Sequence, residues 1–255
     1  MNPETLLSYY PSYSVLDEIV SGSGCNLLNI FIDLKNNLQT LYMKEPIYAI
    51  IENSIKSRFV DTSIFTSVIS FLSFHKIYSI KRPNLKIKTY IFFESGRSIY
   101  HQNISKKYKI SRKVDDLYGL DREKRDYFFE ILQKNYILLE KVCNHIPNTK
   151  LIRLSNMEAD FIPYYLIRNN LVDYGNNVAN IIYSNDHDLL QCLSLEGKNY
   201  VFSKSYNSKK IIRKGESIKN YLKYKIEYPD NFLSLIISII GDSGDDVDGV
   251  KGIGP

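Results

Sequence analysis

No Cys-x-x-Cys pair occurs in the chain, whose three cysteines, Cys25, Cys143 and Cys192, lie far apart. Neither a disulfide framework nor a zinc knuckle can be built from them, and a reducing compartment is expected. The N-terminus lacks a basic n-region and an apolar h-region, and the longest apolar stretch, near Phe232 to Ile240, is too short to span a bilayer. A soluble, cytosolic protein is therefore expected. Histidine is sparse: His75, His101, His145 and His187 are scattered, and each is read as structural or exposed. Internal repeats and long low-complexity tracts are also missing. The net charge of +5 is too small to say much about partners.

What is present is an ordered set of short apolar runs. The 255 residues allow one large domain, or a main domain with a small appendage. Residues 1–24 end in "SGSG" and read as a leader on a flexible joint. Residues 25–228 would be the main fold and 229–255 a separate closing element. "NLLNIFID" ends on Asp33, "IKTYIFFE" on Glu94, and "VANIIYSNDHD" on Asp186 and Asp188. Such strands, separated by stretches of helical periodicity, imply α/β architecture with a mostly parallel sheet flanked by helices. Helices are expected over Pro46 to Phe59, Ser63 to Phe74, Asp121 to Cys143 and Ile162 to Leu171, and two short strands over 199–213. "YPDNFLSLIISIIGD" reads as a helix with Pro229 near its start and Gly241 at its end.

In parallel sheets, sites form at the carboxyl ends of strands. Asp33, Glu94, Asp186 and Asp188 would meet there, joined by Glu158 and Asp160 of "MEADF" and by Asp242, Asp245 and Asp246 of "GDSGDDVDGVKGIGP". Gathered carboxylates repel one another, so a fold that collects them must neutralise them. Hard oxygen ligands without His or Cys select Mg²⁺ or Mn²⁺, and two such ions about 4 Å apart can hydrolyse a phosphodiester. Each acid taken alone is more simply a solvated group or a helix cap; their joint placement at strand ends favours the metal reading. A second concentration of charge runs from Arg97 to Arg125, where Arg97, Lys106, Lys107, Lys109, Arg112 and Lys113 crowd together. With Tyr100 and Tyr108 beside them, these bases suit nucleic acid better than a solvated helix face.

Two other readings of the last stretch fail on spacing. An EF-hand with Gly249 at its sixth position would need an acid where Gly244 stands and would end on Pro255. A dinucleotide loop should follow a strand, whereas "GVKGIG" follows a helix.

Together these motifs resemble the 5′-nuclease superfamily of flap endonucleases, phage 5′-to-3′ exonucleases and polymerase-linked 5′ nucleases, which has a PIN-like fold. "FID" resembles its first metal strand, "FFESGRSIYHQNISKKYKISRK" its acid followed by a basic arch with Y-K-x-x-R, and "MEADF" its E-A-D helix start. "SNDHDLLQ" resembles its S-x-D-x-D-x-x-Q element, and "GDSGDDVDGVKGIGP" its glycine-rich helix-three-turn-helix turn. The resemblance spans about Asn29 to Pro255. It implies Asp33, Glu94, Glu158 and Asp160 as ligands of a first Mg²⁺, and Asp186, Asp188, Asp242 and Asp245 of a second, with Mn²⁺ able to substitute. It implies a helical arch at about 95–125 in which Lys109 and Arg112 act on the scissile phosphate and Tyr108 offers a stacking face, with Arg97, Lys106, Lys107 and Lys113 on DNA. Gly249, Gly252 and Gly254 would let backbone amides approach duplex phosphates and a potassium ion; a second helix of that element, expected after Pro255, would be missing and duplex grip weakened.

The implied activity is Mg²⁺-dependent cleavage at 5′ flaps, nicks or RNA primers on DNA, by a monomer in replication or repair, in the cytoplasm of a bacterial or phage-infected cell and with replication proteins as partners. The chain departs from the family pattern at three places. Glu94 stands where Asp is usual, Phe161 replaces the second Asp of E-A-D-D, and Asp246 replaces an Asn; Pro163 implies a helix that begins after Glu158 or is kinked. A non-catalytic DNA-binding module of the same fold and a PIN-type endoribonuclease are the alternatives.

Overall fold

A computed structural model of the chain describes residues 12–34, 63–93, 101, 103, 122–154, 156–205, 208–217, 229–242 and 247–252. Its centre is a six-stranded sheet of β1 (Leu27–Asp33), β2 (Lys86–Phe93), β3 (Thr149–Arg153), β4 (Val178–Tyr183), β5 (Lys198–Ser205) and β6 (Ser208–Ile212) in the order β3-β2-β1-β4-β5-β6. Every neighbouring pair is parallel except β5 and β6. β1 and β4 are buried along almost their whole length because both faces of the sheet are covered. The hairpin expected over 199–213 is the antiparallel β5–β6 edge.

Side-chain alternation sends successive residues of β1 to opposite layers. Leu28, Ile30 and Ile32 face one core, packed by α1 (Tyr13–Ser23), α2 (Ser63–Ile80) and α3 (Arg122–Cys143). Phe31 faces the other, packed by α4 (Phe161–Arg168), a 3₁₀ helix (His187–Ser194) and α5 (Leu233–Ile240). Among the described residues no helix is long and apolar enough to cross a membrane. Cys25, Cys143 and Cys192 are buried free thiols, and burial pushes Cys143 up to about 11 and Cys192 up to about 12.

The reading of residues 1–24 as a leader on a flexible joint is corrected over its described part. Ser21 to Ser23 complete α1, and Gly24 ends it with φ 60, a left-handed cap that suits glycine. Leu16 and Ile19 are buried in the core, and Asp17 is paired with Arg82 and accepts from the Tyr78 hydroxyl. The apolar spacing of α1 outweighs the small residues at its end. The sequence reading also lacked β3, a half-exposed edge strand of five residues without an apolar run.

One polar rung sets the register. Asn29 lies opposite Asn180, and Asn180 opposite Asn199. Asn29 Nδ2 donates to Asn180 Oδ1 at 2.9 Å and Asn180 Nδ2 to Asn199 Oδ1 at 2.8 Å. Asn29 Nδ2 also donates to the Asp173 carbonyl, and Lys88 beside it on β2 pairs with the Asp173 carboxylate, holding that group below the usual carboxylate range. A one-residue slip would strand all these buried amides. The rung therefore commits Asn29, Phe31 and Asp33 to the α4 face.

Within α2, His75 is buried, with Nδ1 donating to the Phe71 carbonyl at 2.9 Å and Nε2 accepting from the Tyr183 hydroxyl at 3.1 Å. Burial drives its pKa down from 6.5 to about 4. Above pH 6.5 the ring is neutral in folded and unfolded chains alike. As pH falls from 6.5 toward 4, the unfolded chain takes up a proton that the folded chain refuses. Stability should then drop by up to about 1.4 kcal/mol per pH unit from this group. Urea unfolding across that range should show a shallower loss for His75→Gln than for wild type; parallel curves would contradict the assignment.

Candidate active site

The parallel pairing of β1 and β4 sets Ile32 opposite Tyr183, so both chains leave the sheet at one edge. The next residues are Asp33, which is buried, and Ser184. Ser184 Oγ donates to Asp33 Oδ2 at 3.0 Å and accepts the Asp186 amide at 3.0 Å, two compatible uses of one hydroxyl. Asp186 Oδ1 in turn accepts the Asp188 amide at 3.0 Å, capping the 3₁₀ helix. Three of the expected ligands, Asp33, Asp186 and Asp188, are thus joined through Ser184 in one hydrogen-bonded chain. Ser184 opens the S-x-D-x-D motif, and that was its only signal in the sequence.

Glu158 and Asp160 flank Ala159 just ahead of α4, whose start at Phe161 places Pro163 in its first turn, where proline is tolerated. Ala159 and Ile162 belong to the same apolar cluster as Phe31, Ile182, Leu189 and Leu190, so α4 packs on the 3₁₀ helix beside the strand ends. Glu158 is 3% exposed, and its Oε1 lies 4.0 Å from His101 Nδ1. Asp160 occupies the cap position of α4, but its carboxylate makes no capping bond, so the simple helix-cap role does not apply.

Asp242 follows α5 directly. The Asp242 and Val247 backbones exchange two hydrogen bonds of 2.9 Å, and the Val250 amide returns to the Ile239 carbonyl at 2.7 Å. This fold-back is close: a Cβ on Gly249 would lie 2.0 Å from the Ile240 carbonyl oxygen, and one on Gly241 would lie 2.3 Å from the Gly249 nitrogen. Glycine at 249 is therefore required by contact within the chain itself. Gly252 has φ 85 and open space around it. Gln191, the last residue of the S-x-D-x-D-x-x-Q motif, accepts from Ser234 Oγ at 2.8 Å and ties the 3₁₀ helix to α5.

Glu94, Asp245, Asp246, Gly254, Arg97, Lys106, Lys107, Tyr108, Lys109, Arg112 and Lys113 lie outside the described residues. Among the described residues no three His, Cys, Asp or Glu side chains form a group that could hold a metal ion. The donor chemistry at the strand ends nevertheless fits a hard cation, since Asp33, Asp186 and Asp188 supply only oxygen.

A mostly parallel α/β sheet with Asp33, Asp186 and Asp188 at its carboxyl edge is a PIN-like arrangement, and solved nucleases share this fold. No protein-family model matches the sequence, and no curated protein matches it. Among solved structures, the D15 protein of bacteriophage T5 co-crystallised with metal ions is similar, with a TM-score of 0.57 and 21% identity over 89% of this chain and 71% of that chain. The bacteriophage T5 flap endonuclease in a pseudo-enzyme–product complex with DNA and metal ions gives 0.55 and 20% over 89% and 71%. A variant of the T5 5′-exonuclease gives 0.53 and 20% over 89% and 68%. What these structures share with the chain is the fold.

Proposed function

We propose that the protein is a structure-specific nuclease that hydrolyses DNA phosphodiesters near 5′ ends, at flaps, nicks or RNA primers annealed to DNA, with Mg²⁺ or Mn²⁺ as its cofactor. The observation that carries this reading is the chain Asp33, Ser184, Asp186, Asp188 at the ends of two adjoining parallel strands. Further support comes from the fold shared with a flap endonuclease whose structure holds DNA and metal ions. In this reading Asp33, Glu94, Glu158 and Asp160 hold one ion, and Asp186, Asp188, Asp242 and Asp245 a second. Such ions, when bound, lower the pKa of an attacking water and stabilise the leaving oxygen.

The chain's own groups orient and neutralise. Ser184 fixes the Asp33 carboxylate, and the Asp186 cap fixes the turn that presents Asp188. In the same reading Lys109 and Arg112 relieve charge on the scissile phosphate, Tyr108 receives a base, and Arg97, Lys106, Lys107 and Lys113 draw in the backbone. A 5′-labelled flap should be cut with Mg²⁺ and left intact with EDTA. Mg²⁺ should also raise the unfolding midpoint, by about 2.7 kcal/mol of stabilisation at a hundred times its Kd. DNA binding without cleavage or metal stabilisation would point instead to a non-catalytic module, and cleavage of RNA alone to an endoribonuclease.

A further inference from the structure

Helix α4 buries one face and displays another. Ile162, Pro163 and Ile167 turn into the core, while Phe161 is 42% exposed, Tyr165 is 45% exposed and Arg168 is exposed. Positions 161, 165 and 168 are spaced by four and three residues, so they form a single stripe down the solvent side of the helix. Single exposed apolar residues are ordinary on protein surfaces. Two large aromatic rings in line with a guanidinium are a more specific combination. The stripe also has a direction, because Phe161 is adjacent in sequence to Asp160 and packs against the His101 ring at 5.3 Å, while His101 Nδ1 lies 4.0 Å from Glu158. It runs from the acids outward. At its far end Arg168 Nη1 donates to the Tyr164 hydroxyl at 3.1 Å, which steadies the guanidinium on the surface.

From this placement we infer that the exposed face of α4 is a track for single-stranded nucleic acid leading away from the acidic edge: Phe161 and Tyr165 stack on successive bases, and Arg168 meets a phosphate. Aromatic faces hold bases without reading sequence, and a cation beside them engages the backbone. The direction of the strand relative to the acids rests on the nuclease reading above; the binding does not. The track identifies the partner as an unpaired strand, since stacking requires bases free of their complement.

The test is run in EDTA, so that cleavage plays no part. Fluorescence anisotropy of fluorescein-labelled oligothymidylate and of a blunt duplex is measured with wild type and with Phe161→Ala/Tyr165→Ala. Single-strand affinity should fall by about tenfold or more, with duplex affinity unchanged. Phe161→Tyr and Tyr165→Phe should retain it. Arg168→Gln should lower the salt dependence of single-strand binding by about 0.7 in the log–log slope. An oligonucleotide carrying 2-aminopurine should be quenched on binding the wild type, a readout that stands even if the double variant fails to fold. Equal losses on both DNAs, no loss, or no quenching would overturn the track. Lost flap cleavage with these binding results intact would remove the nuclease reading alone.

Discussion

Asp186→Asn is expected to lower Mg²⁺-dependent flap cleavage by more than about a hundredfold while the protein unfolds at close to the wild-type temperature. The two outcomes separate because the side chain has two uses. Its Oδ1 accepts the Asp188 amide at 3.0 Å, and an asparagine oxygen accepts the same bond, so the cap survives. What disappears is the negative charge. Removing an outer partner of a metal-bound group costs about 10–100-fold, and neutralising a direct ligand should cost more. Ser184→Ala supplies the comparison. Its hydroxyl touches Asp33 and the Asp186 amide, so it is a positioning residue with an expected loss in that 10–100-fold range, restored by Ser184→Thr. Single-turnover rates on a labelled flap check both. Wild-type turnover in Asp186→Asn would refute the site, and a large loss of stability would make Asp186 a structural cap only.

Gly249→Ala is the second large effect, and it is a backbone effect. The added methyl would sit 2.0 Å from the Ile240 carbonyl oxygen and 2.5 Å from its carbon. Neither atom can rotate away, so α5 or the fold-back must move. The expected cost is at or above the upper end of the about 1–3 kcal/mol typical of overpacking. Gly252→Ala should cost less: its φ of 85 disfavours alanine, but nothing lies within 4 Å of the new carbon. Because the fold-back carries Asp242 through its bridge to Val247, Gly249→Ala should also slow flap cleavage. Thermal unfolding and cleavage rates of the two variants decide the matter; equal stabilities would mean that the close approach is not maintained in solution.

Local pattern revealed much of the fold. β1, β2 and β4 are long apolar runs, and α3 follows its spacing almost residue for residue. α2 runs past Phe74 to Ile80, because its apolar residues continue to find the core at Tyr78. β3 was invisible because an exposed edge strand carries no apolar run. The α1 helix was hidden behind "SGSG", whose composition suggests a linker but whose neighbours Leu16 and Ile19 anchor it. At the site, the acids were legible one by one from their motifs, whereas Ser184 and Gln191 were motif letters without a role until their partners from β1 and α5 came into contact.

The sequence by itself determined the parallel α/β class and the chemical nature of the acidic edge. Strand type follows from runs of apolar residues, and the oxygen-only character of the acids follows from the residue types themselves. Only the tertiary structure decided that Asp33 reaches Asp186 through a shared serine, that Gly249 is required by the approach of Ile240, and that one face of α4 is left open to carry Phe161, Tyr165 and Arg168. Periodicity is a property of neighbours along the chain. Which strand lies beside which, and therefore which distant side chains meet, depends on register and packing between segments more than a hundred residues apart, as with Asp33 and Ser184.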